Sequence, residues 1–116
     1  MRSRRKKILL PVLLFGVLFL TACPNRTDIA KVNADPGRYR NKEVLIAGRV
    51  TESYGVPLLG GAYELDDGTG KIWVISRNGA PSRGTEVGAK GKVQSGVTFG
   101  ARSFGTVLIE SERRSR

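Results

Sequence analysis

Histidine is absent from this sequence, and cysteine occurs once, at Cys23. Without imidazole the chain lacks the commonest general base and the commonest transition-metal ligand. A lone cysteine excludes a disulfide within the chain. Aromatic residues are scarce, and Trp73 is the only tryptophan. The longest apolar run, Ile8 to Leu20, has 13 residues, interrupted by Pro11 and Gly16. A helix crossing ~30 Å of hydrocarbon needs roughly 20. The adjacent carboxylates Asp66 and Asp67 do not form an opposed pair, because neighbouring residues of a strand point to opposite faces. No calcium-loop spacing follows them, and they read as part of a turn. With no nucleophile and base in view, the expectation is a protein that is not an enzyme and has no catalytic residue, metal site or dissociable cofactor.

What is present begins with an export signal. Residues 2–7 carry five positive charges and no negative one, and the 13-residue apolar run follows. Small residues come next, in Leu20-Thr21-Ala22-Cys23. A basic segment, a short apolar segment and small residues at a cut site constitute a secretory signal peptide. In that setting Leu-Thr-Ala-Cys resembles the lipobox of bacterial lipoproteins. The resemblance implies diacylglyceryl transfer to the Cys23 thiol, cleavage between Ala22 and Cys23, and N-acylation of the new terminus. Two acyl chains, palmitate-like in kind, suffice for stable anchoring, where one is marginal. The plainer alternative is an ordinary cysteine after an ordinary signal peptide. Ser3-Arg4-Arg5 also resembles a twin-arginine signal, but Lys6 and Lys7 stand where apolar residues are expected. The implied location is the cell envelope, lipid-anchored to a membrane and facing away from the cytoplasm.

Removing 22 of the 116 residues leaves 94, enough for one domain with its own core. Five of the twenty Lys and Arg leave with the signal, so fifteen remain against ten acids, a net charge of about +5. That balance suits anionic partners or headgroups, and equally an ordinary soluble surface. The expected organisation is a signal peptide over 1–22, a lipidated tether and short helix over 23–41, a β-barrel over 42–110, and a solvated basic tail over 111–116.

Thr27 or Asp28 is placed to cap the short helix, which has Ile29, Ala30 and Val32 on its apolar side and Asp35-Pro36-Gly37 at its end. From Lys42 onward the pattern is strands and turns. The first strand spans about 43–53, with Gly48 marking a bulge or sharp coil. A glycine-rich loop follows over 55–61. Strands over about 62–66 and 71–76 flank Asp67-Gly68-Thr69-Gly70, a hairpin signal. A polar loop over 77–85 precedes strands over about 86–94 and 103–110. Val87, Ala89, Gly91 and Val93 share one face of the fourth strand, and Val107 and Ile109 share one of the fifth. Five strands, the first long and bent, predict an all-β, five-stranded barrel, closed or partly open, after a short N-terminal helix.

Three stretches carry a family resemblance. Glu43 to Val50 resembles the first strand of OB-fold domains of the nucleic-acid-binding, tRNA-anticodon-like type. Tyr63 to Val74 resembles their second and third strands, and Gly84 to Val93 their fourth. Together these cover residues 42–110. The resemblance implies an OB-like barrel more than an activity, since OB-folds bind nucleic acids, sugars, peptides and proteins. The 77–85 loop is too short and too rich in Gly and Pro for the helix usual there, and the outward faces carry few aromatics. Haem-carrying relatives depend on a histidine that this chain lacks.

Four residues are candidates for ligand binding. If Ile72 and Val74 face the core, Trp73 faces outward beside Lys71 as a stacking platform; the alternative is a core tryptophan, or one covered by the helix. Arg49 could share that surface and pair with an anion, or be a solvated strand residue. Tyr54 adjoins the loop where OB-folds place their first binding loop. Lys90 and Lys92 alternate outward on the fourth strand, as a basic patch or as edge protection. The functional expectation is an envelope lipoprotein whose OB domain binds a protein, peptide or glycan. The alternative is a single-stranded nucleic-acid binder at the membrane surface.

Overall fold

The computed structural model describes residues 26–115; the signal peptide, the cleavage site at Ala22 and the lipid site at Cys23 lie outside the described residues. Two short helices, α1 (Ile29–Ala34) and α2 (Pro36–Tyr39), precede five strands: β1 (Glu43–Val56), β2 (Gly60–Asp66), β3 (Lys71–Ser76), β4 (Glu86–Phe99) and β5 (Arg102–Ser115). The strands close into a barrel in the order β1-β2-β3-β5-β4, the OB-like architecture. All strand pairs are antiparallel except β3 with β5, where Trp73–Ile75 run parallel to Val107–Ile109.

The 14-residue β1 serves two halves of the barrel. Glu43–Arg49 pairs with β4, and Arg49–Val56 pairs with β2. At the crossover a Cβ on Gly48 would lie 2.6 Å from the Asp66 carbonyl oxygen, so β1 and β2 approach there as only glycine allows. The bulge expected at Gly48 sits instead at Thr51, which has no partner between the pairs Val50↔Leu65 and Glu52↔Glu64. A second irregularity leaves Ser111 unpaired between Lys90↔Glu112 and Gly91↔Glu110. Beside it, a Cβ on Gly91 would stand 2.0 Å from the Ile109 carbonyl oxygen.

Alternation directs Val44, Ile46, Leu65, Ile72, Val74 and Leu108 inward, and Ile29 and Val32 of α1 join the same core. Six residues are too few for a stable isolated helix, and the barrel holds α1 from outside. Asp28 occupies the N-cap position but its side chain caps nothing. The capping bonds come from the β2–β3 turn: Ile29 N donates to Asp67 Oδ2 at 2.9 Å and Ala30 N to Thr69 Oγ1 at 3.1 Å. Asn33 Nδ2 donates to the Lys71 carbonyl at 2.8 Å. Asp67 Oδ1 also accepts from Thr69 N, Thr69 Oγ1 and Gly70 N within its own turn. Desolvation alone would raise the Asp67 pKa, but these donors outweigh it and hold the carboxyl below its ordinary value. The cap expected from Thr27 or Asp28 is therefore tertiary. Pro36, expected only to end the helix, also opens α2, where the Asp35 side chain accepts from Arg38 N.

Two further expectations are corrected. The β4 and β5 strands run well past 94 and begin before 103, forming one long hairpin with only Gly100 and Ala101 in its turn. Residues 111–115, read as a solvated tail, continue β5 and pair with the start of β4, from Lys90↔Glu112 to Val87↔Ser115. Their polar sequence has no apolar alternation to announce a strand; the backbone edge of β4 supplies the order. Val107 and Ile109 share one face of β5 as expected; that face is the outward one, beneath the hairpin, and the barrel core receives Leu108.

Candidate functional site

The outward face of the second half of β1, of β2 and of β3 is built by alternation. Beyond the bulge, Glu52, Tyr54 and Val56 stand on the same side as Ala62 and Glu64 of β2 and Trp73 and Ile75 of β3. OB-folds bind oligonucleotides and oligosaccharides on this face, between the β1–β2 and β4–β5 loops. Here the β4–β5 hairpin folds over it. Phe104 and Val107 pack on Ala62 and Ile75 as a second small core, flanked by Tyr54, Trp73, Val97 and Phe99.

Ile72 and Val74 face the barrel core, and Trp73 faces outward and is half-buried. It lies outside the barrel interior and packs against the second small core. Phe104 tilts against it with ring centroids 5.4 Å apart, and Tyr54 meets it edge-on at 5.9 Å. The Arg102 guanidinium lies 4.5 Å above the indole and 5.0 Å above the Phe104 ring. A cation so placed is attracted by the ring quadrupole, and it occupies the position a stacked base or sugar would take. The Tyr54 hydroxyl is buried and makes no hydrogen bond among the described residues. A buried hydroxyl without a partner costs roughly 1–3 kcal/mol.

Of the candidate binding residues, the structure brings Trp73 and Tyr54 together. Lys71 is exposed two residues before Trp73 on the same face. Arg49 belongs elsewhere: its guanidinium pairs with Glu86 at 2.9 Å and donates to the Gly84 carbonyl at 3.4 Å. Arg102 and Phe104 were not singled out from the sequence. The signal available was Gly100 between alternating Val97, Phe99, Arg102 and Phe104, a two-residue hairpin turn between the expected fourth and fifth strands.

The β1–β2 connection is a tight turn, not a long loop. Leu59 N donates to the Val56 carbonyl at 3.0 Å. Pro57 at the second position holds φ near −65°, and Leu58 at the third has φ +70°. This is a type II turn, whose third position ordinarily takes glycine or asparagine. Leu58 is fully exposed at 104% and Leu59 is 50% exposed. The two hairpin tips meet, since a Cβ on Gly100 would touch the Val56 side chain at 3.4 Å. Leu58, Leu59 and the Trp73 cluster thus belong to one end of the barrel.

The charges bordering this face are mixed. Glu64 is the cross-strand neighbour of Trp73 and accepts from Thr51 Oγ1 at 2.8 Å. Glu52 pairs with Arg83 at 3.1 Å. A separate buried cluster was also invisible in the sequence. The Glu110 carboxylate, 2% exposed, accepts from Tyr63 Oη, from Ser76 Oγ at 2.7 Å and from Arg113 Nη1 at 3.4 Å. Arg113 donates to the Gly79 carbonyl at 2.9 Å and lies over the Tyr63 ring. Burial, and then the hydrogen bond to Glu110 and its charge, push the Tyr63 phenol far above its ordinary pKa. This cluster ties β2, β3, β5 and the 77–85 loop together. Among the described residues, no group of three or more carboxylate, thiol or imidazole side chains is placed to hold a metal ion.

Neither a protein-family model nor a curated protein matches the chain. Among solved structures it resembles a protein described as an aspartyl-tRNA synthetase from Leishmania major Friedlin, with a TM-score of 0.58 and 18% sequence identity. The match covers 82% of this chain and 21% of that one, so the chain spans about a fifth of the neighbour's length. At that identity the likeness is one of fold, and it agrees with the OB-like barrel.

Proposed function

We propose that this protein is an envelope lipoprotein, anchored through acylated Cys23, whose OB-like barrel binds a protein or peptide partner at the end formed by the β1–β2 turn and the Trp73 face. One observation carries the reading: Leu58 is at once left-handed and fully exposed. A leucine pays twice for that placement, in backbone strain and in apolar surface left in water, and packing within the domain returns nothing. Such outliers cluster at ligand clamps and binding surfaces. Leu59 beside it and the half-buried Trp73 and Tyr54 add an aromatic and apolar surface of the kind protein partners use. Glu52 and Glu64 on the same face disfavour a phosphate backbone.

A photo-crosslinking side chain at Leu59 of the full-length protein, expressed in its host, tests this. The expected outcome is a discrete adduct that disappears in the Leu58→Asp variant and does not form from the same probe at exposed Lys31. Equal adducts at both positions, or none at Leu59, would sink the reading. The anchor is tested separately by metabolic labelling with palmitate, which Cys23→Ser should abolish.

A second reading, single-stranded nucleic-acid binding in the manner of tRNA-anticodon-like OB domains, is favoured by the outward, half-buried Trp73 with exposed Lys71 on the same face, and requires Arg102 to leave the indole. Trp73 fluorescence separates the two. Quenching by single-stranded oligonucleotide that weakens steeply with salt supports nucleic acid. An emission unmoved by oligonucleotide supports the protein partner.

A further inference from the structure

The outer surface of the barrel on the other side of β1 holds a groove. The described chain starts at Arg26, whose backbone lies beside Leu45 of β1, with Thr27 N donating to the Leu45 carbonyl at 2.8 Å. The floor there is Leu45, Ala47 and Gly88, all half-buried. Arg26, Lys90, Arg114 and Glu112 form the walls of a concavity of ≈ 420 Å³. Past Leu45 and Lys90 it continues into a second concavity of ≈ 540 Å³ that adds Lys42 and Glu43. Among the described residues no helix or hairpin folds over this face, whereas the β4–β5 hairpin packs on the Trp73 face.

We propose that this groove binds the phosphate headgroups of anionic membrane lipids and seats the barrel on the membrane. Four cations, Arg26, Lys42, Lys90 and Arg114, border it against two carboxylates, Glu43 and Glu112. The carboxylates engage Lys90 at 4.0 Å each and Arg114 at 3.7 Å. These are long pairs between exposed side chains, weak enough to exchange for a better anion. Arg26 and Lys42 make no ion pair among the described residues. Guanidinium groups match phosphate oxygens through paired donors, and the apolar floor suits the glycerol and first methylenes of a lipid.

The lipid source follows from position, and here the proposal rests on the anchor at Cys23. Two residues, Pro24 and Asn25, lie between Cys23 and Arg26, and the three residue steps reach at most about 10 Å. An acylated Cys23 would therefore hold the groove within about a Debye length of the headgroups. The Leu58 turn lies 13 residues beyond Leu45, at the other end of β1. At ~3.3 Å per residue it stands on the order of 30 Å from the groove, allowing for coiling of the strand. Seating the groove on the membrane thus presents Leu58 outward to a partner.

The test uses residues 24–116, because every strand and helix described lies within 26–115 and the barrel closes without the leader. Co-sedimentation is measured with vesicles of phosphatidylcholine alone and with one third phosphatidylglycerol. Two net positive charges predict a preference for the anionic vesicles on the order of 30-fold at low salt, lost at high salt. Arg26→Glu with Arg114→Glu should remove the preference, with an unchanged Trp73 emission spectrum as the folding control. The charge-matched pair Arg77→Glu with Arg83→Glu, on the 77–85 loop, should retain it. No preference for anionic vesicles, or equal loss in both pairs, would overturn the proposal. So would displacement by free glycerol phosphate at concentrations matching the lipid phosphate, which would mark a site for a soluble anion. None of these outcomes depends on acylation. Absence of palmitate label on the full chain would count against the anchor and leave the groove standing, so the two failures are distinguishable.

Discussion

Replacing Leu58 with glycine should make the domain more stable, an unusual direction for removing a leucine. The left-handed conformation at φ +70° costs an L-residue about 1–2 kcal/mol. Glycine returns part of that gain, roughly 0.5–1 kcal/mol, through its greater freedom in the unfolded chain. No buried surface is lost, since Leu58 is fully exposed. The net is a stabilisation of about 0.5–1 kcal/mol. For a domain of this size 1 kcal/mol corresponds to ~4–8 °C, so the melting temperature should rise by about 2–8 °C. Thermal unfolding of residues 24–116, followed by circular dichroism, measures it. If Leu58 is buried on binding, the same change should remove about 1.5–3 kcal/mol of interaction, weakening the partner adduct by roughly 10- to 150-fold. A melting temperature lowered by several degrees would refute the reasoning, because Leu58 would then be packing within the domain. A raised melting temperature with an undiminished adduct would separate the strain from binding and remove the main support for the proposed interface.

The buried Glu110 cluster should be costly to disturb. Tyr63→Phe deletes one donor to the carboxylate and should cost about 1–2 kcal/mol in urea unfolding, while Glu110→Gln leaves the Arg113 charge without its partner and should cost about 3 kcal/mol. The raised Tyr63 pKa means that its contribution is complete below the unfolded value near 10 and is lost as pH rises beyond it. Alkaline unfolding should therefore be shallower in Tyr63→Phe, and identical profiles would contradict the assignment. The depressed Asp67 pKa has the opposite sign: its contribution is present above the unfolded value near 3.8 and is lost as pH falls through the folded value. Asp67→Asn should lower stability by about 1 kcal/mol at neutral pH through the lost bond to Ile29, with the gap to the parent protein closing in acid. Gly91→Ala places a methyl 2.0 Å from a backbone oxygen that no side-chain rotation can move. It should destabilise by more than about 3 kcal/mol or prevent folding, and a well-folded Gly91→Ala domain would show that the β4–β5 irregularity is softer than described.

Several features of the barrel were legible because they obey short-range rules. Alternation left Trp73 two placements, outward or in the core, and Ile72 and Val74 facing the core select the outward one; the shared face of Val87, Ala89, Gly91 and Val93 on β4 was legible from the same period of two. Asp67-Gly68-Thr69-Gly70 announced its turn because Asp-Gly tolerates positive φ, and five strands around a long, glycine-bearing first strand pointed to a barrel, closed or partly open, which the strand pairing closes. The placement of Gly48 was legible while its purpose was not. A bulge and a close approach leave the same glycine in the sequence, and only the Asp66 carbonyl 2.6 Å away distinguishes them.

Long-range geometry decided the rest. Whether Val107 or Leu108 faces the core depends on how β5 lies beside β3, which alternation within an apolar run cannot specify. The polar stretch 111–115 becomes a strand because β4 offers it backbone partners. The α1 cap comes from a turn nearly forty residues away. The covering of Trp73 by Arg102 and Phe104 exists only because the β4–β5 hairpin folds back over the β2–β3 face. From the sequence alone came the inward and outward pattern of most strands, the turns and the barrel they imply; tertiary contact decided which outward residues meet, because that depends on the path of the backbone between strands and not on the order of residues along one.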